Sequence, residues 1–528
     1  MTVAAPASGF AKPNTGDVTQ AEVIAFLDTA ASHGPGVAAV ERIETHGALV
    51  FLAGENVYKI KRAVRFSYMD FSTLELRRRA CTREIEVNQP HAPDLYLGVL
   101  AITRTADGAL ALGGNGEPVE WAVHMRRFPD GALLSRVVAA GAFDRELARQ
   151  TADAVIDYHR SSVISVTAKP IDQITQIISE LADAMRASAL GFDQSHVDAF
   201  DGGCRRALGS VGGLLEKRAT HGFVRRCHGD LHLANIVLWQ GRPTLFDAIE
   251  FDEGIATVDT LYDLAFLLMD LEARGQREAA NIVLNRYLWR SQQMPDLEGL
   301  AALPMFLALR AGIRAMVLAQ RAALGSPSGS GNSAGPARDY LDKALEFLSA
   351  RPARLIAVGG LSGTGKSTLA AALAPMIGRA PGAVHLRSDL ERKALFGVGE
   401  TERLLTDFYS VQAGRRVYDV LSTKTRAALV ADQSVVVDAV FLRAEERDAI
   451  EGIATSLGVG FGGLWLTAAP ETLIERVGAR TADASDATPD VVRFQLTRDH
   501  SGGGWKTIDA GGTPDATLRA VRDALAIG

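Results

Sequence analysis

The pattern of apolar and polar positions changes twice along the chain. Thr19–Ala31 is amphipathic and predicts a helix. Alternating or short apolar runs follow at Arg42–Thr45, Ala48–Ala53, Asn56–Ile60, Leu97–Thr103 and Trp121–Phe128, which predict a small sheet. A charged helical stretch, Ser72–Asn88, interrupts it. Beyond Phe143 the pattern is mostly helical as far as Leu324. The segment 325–336 has no apolar residue larger than alanine and proline, so it predicts a flexible connection. A helix over Ala337–Ala350 follows, with Leu341, Leu345 and Leu348 on one side. From about Arg351 the pattern alternates. Apolar strands at Leu355–Gly359, Val384–Leu386, Ser434–Val440 and Gly462–Leu466 are separated by helix-like segments, which implies a parallel sheet flanked by helices.

The expected organisation is a leader over 1–18, a bilobal α+β domain over 19–350, and an α/β domain over 351–528. The first domain divides into a small lobe over about 19–130 and a helical lobe over 131–350. The 528 residues are too many for one hydrophobic core. A 47% hydrophobic and 22% charged composition excludes a chain disordered throughout. The formal net charge of −6 disfavours a nucleic-acid partner. Cys81, Cys204 and Cys227 are an odd, widely spaced set, neither a disulfide framework nor a zinc site. With no basic-then-apolar leader and no run of about 18 uncharged apolar residues, a cytoplasmic protein without a membrane span is expected.

The strongest motif lies in the second domain. Gly360-Leu361-Ser362-Gly363-Thr364-Gly365-Lys366-Ser367 fits GxxxxGK[ST] between a predicted strand and a helix that runs on through Thr368. Backbone N–H groups of such a loop converge on the phosphates of ATP. Lys366 brings a charge to the β and γ phosphates, and the Ser367 hydroxyl suits Mg²⁺. Asp389 follows the second strand, where ligands of open parallel sheets bind. It is a candidate base for a substrate hydroxyl, or else a helix cap. Asp438 ends a buried strand and is a candidate Mg²⁺ carboxylate. Arg476 and Arg480 share a helix face, from which they would close over ATP as a lid or sit solvated. This part, from about Arg351 to Gly528, resembles the small P-loop kinases of AAA-ATPase type: gluconate kinase, the zeta-toxin and chloramphenicol phosphotransferase group, and the kinase domain of polynucleotide kinase. The resemblance rests on the phosphate loop, Ser388-Asp389 with Arg392, Asp438 and the Arg476/Arg480 stretch. It implies that Asp389 handles the acceptor hydroxyl.

A second constellation lies in the first domain. In His228-Gly229-Asp230-Leu231-His232-Leu233-Ala234-Asn235 a carboxylate and an amide are separated by four residues, so one loop can reach a nucleophile and a metal. A predicted hairpin, Ile236–Trp239 and Thr244–Phe246, returns Asp247 towards them. Glu250, Asp252 and Glu253 crowd the same loop, where a metal would relieve their repulsion. Zinc on His228 and His232 is disfavoured by Gly229 between them; His228 reads as a structural histidine. The HGDxxxxN pattern resembles the aminoglycoside phosphotransferase branch of the protein-kinase-like fold over about residues 20–345. That resemblance implies Asp230 as catalytic base, Asn235 and Asp247 as Mg²⁺ ligands, and Asp263 as a brace. It also calls for a strand lysine paired with a helical glutamate to hold ATP. Lys59 and Lys61 fall on one strand face, so period alone does not separate them. Lys59 with Glu84 is preferred, and Glu86 is the second choice. The basic stretch Lys59–Arg83 reads as a solvated face with ATP contacts, or as a grip on an anionic substrate.

The expected function is an ATP- and Mg²⁺-dependent phosphotransferase with two kinase modules. Each would transfer the γ-phosphoryl group to a hydroxyl of a small molecule such as a sugar, nucleoside or aminoglycoside-like compound. The alternatives are a regulatory nucleotide-binding role for one module, or a nucleic-acid end kinase in the second. No motif identifies the acceptor or the oligomeric state.

Overall fold

The computed structural model describes residues 17–66, 69–323, 334–479, 484–498 and 501–527. Most of the 325–336 connection and the leader up to residue 16 lie outside them. Six strands form the first sheet: β1 (Val40–Glu44), β2 (Ala48–Ala53), β3 (Asn56–Lys61), β4 (Tyr96–Arg104), β5 (Leu110–Leu112) and β6 (Glu117–Arg126). They run antiparallel in the order β1-β2-β3-β6-β4-β5. Strand alternation explains its two faces. Leu49, Phe51, Tyr58 and Ile60 pack with Val23 and Leu27 of α1 (Asp17–Asp28). Leu52, Val57, Val123 and Met125 pack with Cys81 of α2 (Leu74–Asn88). Thr73 caps α2, its hydroxyl accepting from Leu76 N at 3.3 Å. Three residues are too few to show alternation, so β5 carries no signal in the sequence.

The helical lobe holds α3 (Arg145–Ser161), α4 (Pro170–Ala187), α5 (Gln194–Thr220) and α6 (Thr260–Ala273). Between the last two, β7 (Ile236–Trp239) and β8 (Arg242–Leu245) form a hairpin. Its two-residue turn places Gln240 at φ 49° and Gly241 at φ 78°, the conformation that matches strand twist. One stretch, Met294–Ala322, is long and apolar enough to cross a membrane by composition, but 83% of its most apolar window is buried, as in core helices. All three cysteines are buried and free.

The second sheet is parallel throughout: β9 (Arg354–Gly360), β10 (Val384–Arg387), β11 (Val435–Asp438), β12 (Gly460–Thr467) and β13 (Lys506–Asp509), in the order β10-β11-β9-β12-β13. Ile356, Val358, Val436 and Leu464 form its core with Leu369 and Leu373 of the helix after the phosphate loop. Only Ile508 of β13 is buried, so that strand carried no apolar signal.

The chain divides into two compact units: Met1–Asp270 with Phe306–Leu345, and Leu271–Met305 with Glu346–Gly528. Residues 271–305, expected in the helical lobe, thus belong with the parallel sheet. The reason is chemical. Edge strand β10 has outward backbone groups to satisfy, and α7 (Arg277–Ser291) satisfies them. Asn285 Oδ1 accepts from His385 N at 2.7 Å, and Asn281 and Asn285 donate to Ala383 O at 3.0 and 3.2 Å.

Candidate functional site

In the first unit, β3 and α2 bring Lys59, Lys61 and Glu84 together. Lys59 Nζ donates to Glu84 Oε1 at 2.8 Å and to Asp247 Oδ1 at 2.5 Å. Lys61 Nζ donates to Glu84 Oε2 at 2.5 Å and to Glu250. Side-chain exposure separates the lysines: Lys61 and Glu250 are 2% and 6% exposed, whereas Lys59 and Asp247 are 14% and 43% exposed. Lys59 therefore faces the open side, next to Asp247, and Lys61 is an interior cation. Burial alone would lower the Lys59 ammonium, but Asp247 and Glu84 raise it well above its ordinary value. Burial likewise opposes ionisation of Asp247, yet Lys59 holds its carboxyl below the usual range. Glu86 instead pairs with Arg83 at 2.9 Å on the exposed helix face.

The HGD loop is braced from α6. Asp263, fully buried, accepts from His228 N at 3.2 Å and Gly229 N at 2.9 Å, and bonds His159 Nε2 at 3.1 Å. His228 Nε2 contacts Phe246 O at 2.9 Å, tying the loop to the hairpin that carries Asp247. Asn235 Nδ2 donates to the Asp230 carbonyl at 2.9 Å and to its Oδ2 at 3.1 Å. Phe246 N donates to Asn235 O at 3.1 Å, so Asp230, Asn235 and Asp247 converge. His232, expected only as a loop residue, places Nε2 3.5 Å from Asp230 Oδ2. Gly229 sits at φ +83°, which explains glycine at that position: a side chain there is strained.

The neighbouring acids are already partnered. Glu250 pairs with Lys61, Asp252 accepts from Gly254 N and Ile255 N, and Glu253 meets Arg83 at 2.7 Å. The expected metal relief of their repulsion is therefore corrected: protein cations and backbone donors supply it. The basic stretch is neutralised likewise, Arg77 by buried Glu120 at 2.8 Å and Arg78 and Arg79 by Glu75. A cavity of about 690 Å³ opens beside Asp230 and Gly229. Asp172, Glu180, Asp252 and Glu253 line it with Asp230, against two cations, Lys169 and Arg310.

In the second unit the phosphate loop runs from β9 into α8 (Lys366–Leu373). Gly360, Gly363 and Gly365 have φ of 137°, 91° and 87°. A Cβ on Gly363 would lie 2.6 Å from Leu473 O, so the loop demands glycine there. Leu361 and Thr364 are buried, and Thr364 Oγ1 donates to Leu361 O at 2.8 Å. Ser362 N donates to Gln495 at 2.9 Å, and Lys366 Nζ donates to Leu361 O at 2.9 Å. Thr368 follows on the first turn of α8 and is exposed. Ser367 Oγ donates to Asp438 Oδ1 at 3.0 Å. Strand order sets β9, β11 and β10 side by side, which gathers the loop, Asp438 and Asp389 at one sheet end. Asp389 opens α9 (Ser388–Leu395), a helix with no side-chain N-cap bond. Burial, then the charge of Asp438, pushes the Asp389 carboxyl above its ordinary value. Arg476 does not reach this cluster: its guanidinium donates to the carbonyls of Ala510, Gly511 and Gly512 at 2.8, 3.2 and 3.0 Å. Arg480 lies outside the described residues. Both sets of candidate metal ligands are oxygen donors, the kind Mg²⁺ takes.

Residues 355–498 match the AAA domain family model. Over 490 residues the chain is 29% identical to an uncharacterized protein of Mycobacterium tuberculosis (strain H37Rv), covering 90% of this chain and 93% of that one. Among solved structures it is similar to a gluconokinase from Sinorhizobium meliloti 1021, at 22% identity over 34% of this chain and 94% of that one, with a TM-score of 0.25. It is also similar to a choline/ethanolamine kinase family protein from Mesorhizobium loti, at 14% identity over 63% of this chain and 95% of that one, with a TM-score of 0.39. The family match spans the phosphate loop, Asp389 and Asp438 of the second unit.

Proposed function

We propose that the chain is a phosphotransferase with two ATP sites, each passing the γ-phosphoryl group to a hydroxyl of a small molecule. The observation that carries this reading is the convergence of Lys59, Glu84 and Asp247 with Asp230 and Asn235 in one site. Lys59, oriented by Glu84, holds nucleotide phosphates. Asp230, oriented by Asn235, takes the proton of the acceptor hydroxyl as the oxygen attacks phosphorus. Asn235 and Asp247 are the side chains that hold Mg²⁺, which when bound neutralises charge on the phosphates. The acidic cavity beside Asp230 supports a neutral or cationic polyol over a polyanion. In the second site, the backbone of Gly360–Thr368 and Lys366 cradle phosphates, Ser367 and Asp438 provide the metal-facing oxygens, and Asp389 receives the acceptor proton.

The test is ATP turnover against a panel of sugars, nucleosides, amino alcohols and oligonucleotides with Asp230→Asn, Lys366→Ala and the double variant. Each single change is expected to remove one acceptor-dependent activity and the double change both. Phosphotransfer that survives the double variant intact would sink the proposal.

A further inference from the structure

One histidine ties the metal-facing carboxylate of the second unit to the edge of its sheet. His385 lies in β10, directly across from Val436 of β11. Its side chain is 9% exposed, and its Nε2 lies 2.6 Å from Asp438 Oδ2. The other oxygen of that carboxylate accepts the Ser367 hydroxyl at 3.0 Å. The backbone of His385 is held from the opposite side, where its N–H donates to Asn285 Oδ1 at 2.7 Å. The same amide donates through Nδ2 to Ala383 O at 3.2 Å. Asn285 thus offers β10 a donor and an acceptor, as the peptide of a sixth strand would.

We infer that His385 is a positioning residue for the P-loop site: its Nε2–H fixes the carboxylate plane of Asp438 so that Oδ1 stays directed at Ser367. Burial opposes ionisation of Asp438, and the bond and charge of His385, followed by Arg387 and Lys366, hold its carboxyl below the usual range. Arg387 Nε lies 4.0 Å from Asp438 Oδ2, too far to orient it. His385 also adds direction, because a short bond to one oxygen removes the swing of the carboxylate about its last torsion. Groups that orient metal-holding carboxylates in this way typically change metal affinity by about 10- to 100-fold. The register that aims His385 is kept by Asn285 of α7, so residues distant in sequence set the geometry of the phosphate loop. The inference rests on the reading of Gly360–Thr368 as an ATP site.

The experiment uses the full chain and equilibrium binding of ADP at varied Mg²⁺, followed by calorimetry. Lys366→Ala first identifies the class of sites belonging to the phosphate loop. For that class, His385→Ala is expected to raise the Mg²⁺ needed for half-maximal ADP binding about 10- to 100-fold. Affinity at saturating Mg²⁺ is expected to hold, while the melting temperature falls because buried Asp438 loses a partner. His385→Gln, whose amide nitrogen reaches the place of Nε2, is expected to restore most of the loss. If Lys366→Ala removes no class of ADP binding, the phosphate-loop reading itself fails. If it removes one and His385→Ala leaves its Mg²⁺ requirement unchanged, the positioning role is overturned. Loss in both His385 variants alike would overturn it too, in favour of ring packing.

Discussion

Replacing Lys61 by methionine should strike mainly stability and replacing Lys59 mainly nucleotide binding, although the two lysines share a strand face. Lys61 is 2% exposed and bridges Glu84 and Glu250, themselves 0% and 6% exposed. Lys61→Met strips both carboxylates of that cation in the interior. Removing one partner of a buried ion pair costs about 3–5 kcal/mol. At about 2–4 °C per kcal/mol for a large domain, melting of the first unit should fall by about 6–20 °C. Lys59→Met leaves Glu84 with Lys61 and frees Asp247 on the open side, so its stability cost should be roughly half or less. Its effect falls on the nucleotide, where losing charge-assisted bonds of about 1.5–3 kcal/mol weakens binding about 10- to 150-fold. The pH dependence has a definite sign. Burial already holds the Glu250 carboxyl above its ordinary value despite Lys61, and deleting Lys61 raises it further. A carboxyl with a raised folded value stabilises the fold when protonated and loses that contribution as pH rises through it. The deficit of Lys61→Met against wild type should therefore be larger at pH 8 than at pH 5. Calorimetric melts, with fluorescent-nucleotide titration in a Lys366→Ala background, read both quantities. A Lys61→Met protein that melts like wild type yet loses nucleotide would refute the assignment of Lys59 to the open side.

Three further outcomes follow from the same geometry. Gly229→Ala places a Cβ 3.0 Å from Ile249 Cδ1 at φ +83°, and should cost about 1–3 kcal/mol in thermal melts while slowing the first activity. Asp263→Ala leaves the N–H groups of His228 and Gly229 without their buried acceptor; at about 1–3 kcal/mol each it should destabilise the first unit and abolish its turnover, with Lys366-dependent ADP binding retained. A fragment starting at Glu346 lacks α7 and bares the edge of β10, so light scattering should find it self-associating; a monomeric fragment that binds ADP as the full chain does would show α7 to be dispensable.

Much of the architecture was legible because it is written locally. The apolar runs Ala48–Ala53 and Val435–Asp438 and the strand pattern of Asn56–Ile60 each carry their own signal. The phosphate loop is legible for the same reason, since its conformation depends on glycines within a few residues of one another. Among the strands that escaped, Leu110–Leu112 and Lys506–Asp509 are short or polar edges whose pairing is decided by the neighbour. The placement of residues 271–305 escaped because amide side chains on an ordinary-looking helix, Asn281 and Asn285, make the decisive bonds about 100 residues downstream, to Ala383 and His385.

The acids after the HGD loop show why proximity in sequence misleads about chemistry. Glu250, Asp252 and Glu253 look like one repelling cluster that needs a metal. In the fold they part: Glu250 turns to Lys61, 189 residues earlier, Asp252 caps a short helix, and Glu253 meets Arg83. Lys61 and Arg83 lie 189 and 170 residues away from their acids, beyond any local pattern, whereas Asp252 bonds within its own turn. The consequence reaches the active-site assignment. With those three accounted for, Asp247 is the carboxylate of that loop left facing Lys59 and the open side, at φ +60° and 43% exposure. A backbone conformation that costs an aspartate energy persists where surrounding structure imposes it, and here Tyr96 imposes it, its hydroxyl accepting from Asp247 N at 3.0 Å. Tyr96→Phe deletes that acceptor while keeping the ring. It should cost about 1–3 kcal/mol in melting through the lost acceptor and weaken Mg²⁺-dependent nucleotide binding at the first site in a Lys366→Ala background, because Asp247 is then free to relax. Unchanged binding in Tyr96→Phe would mean that Lys59 alone orients Asp247.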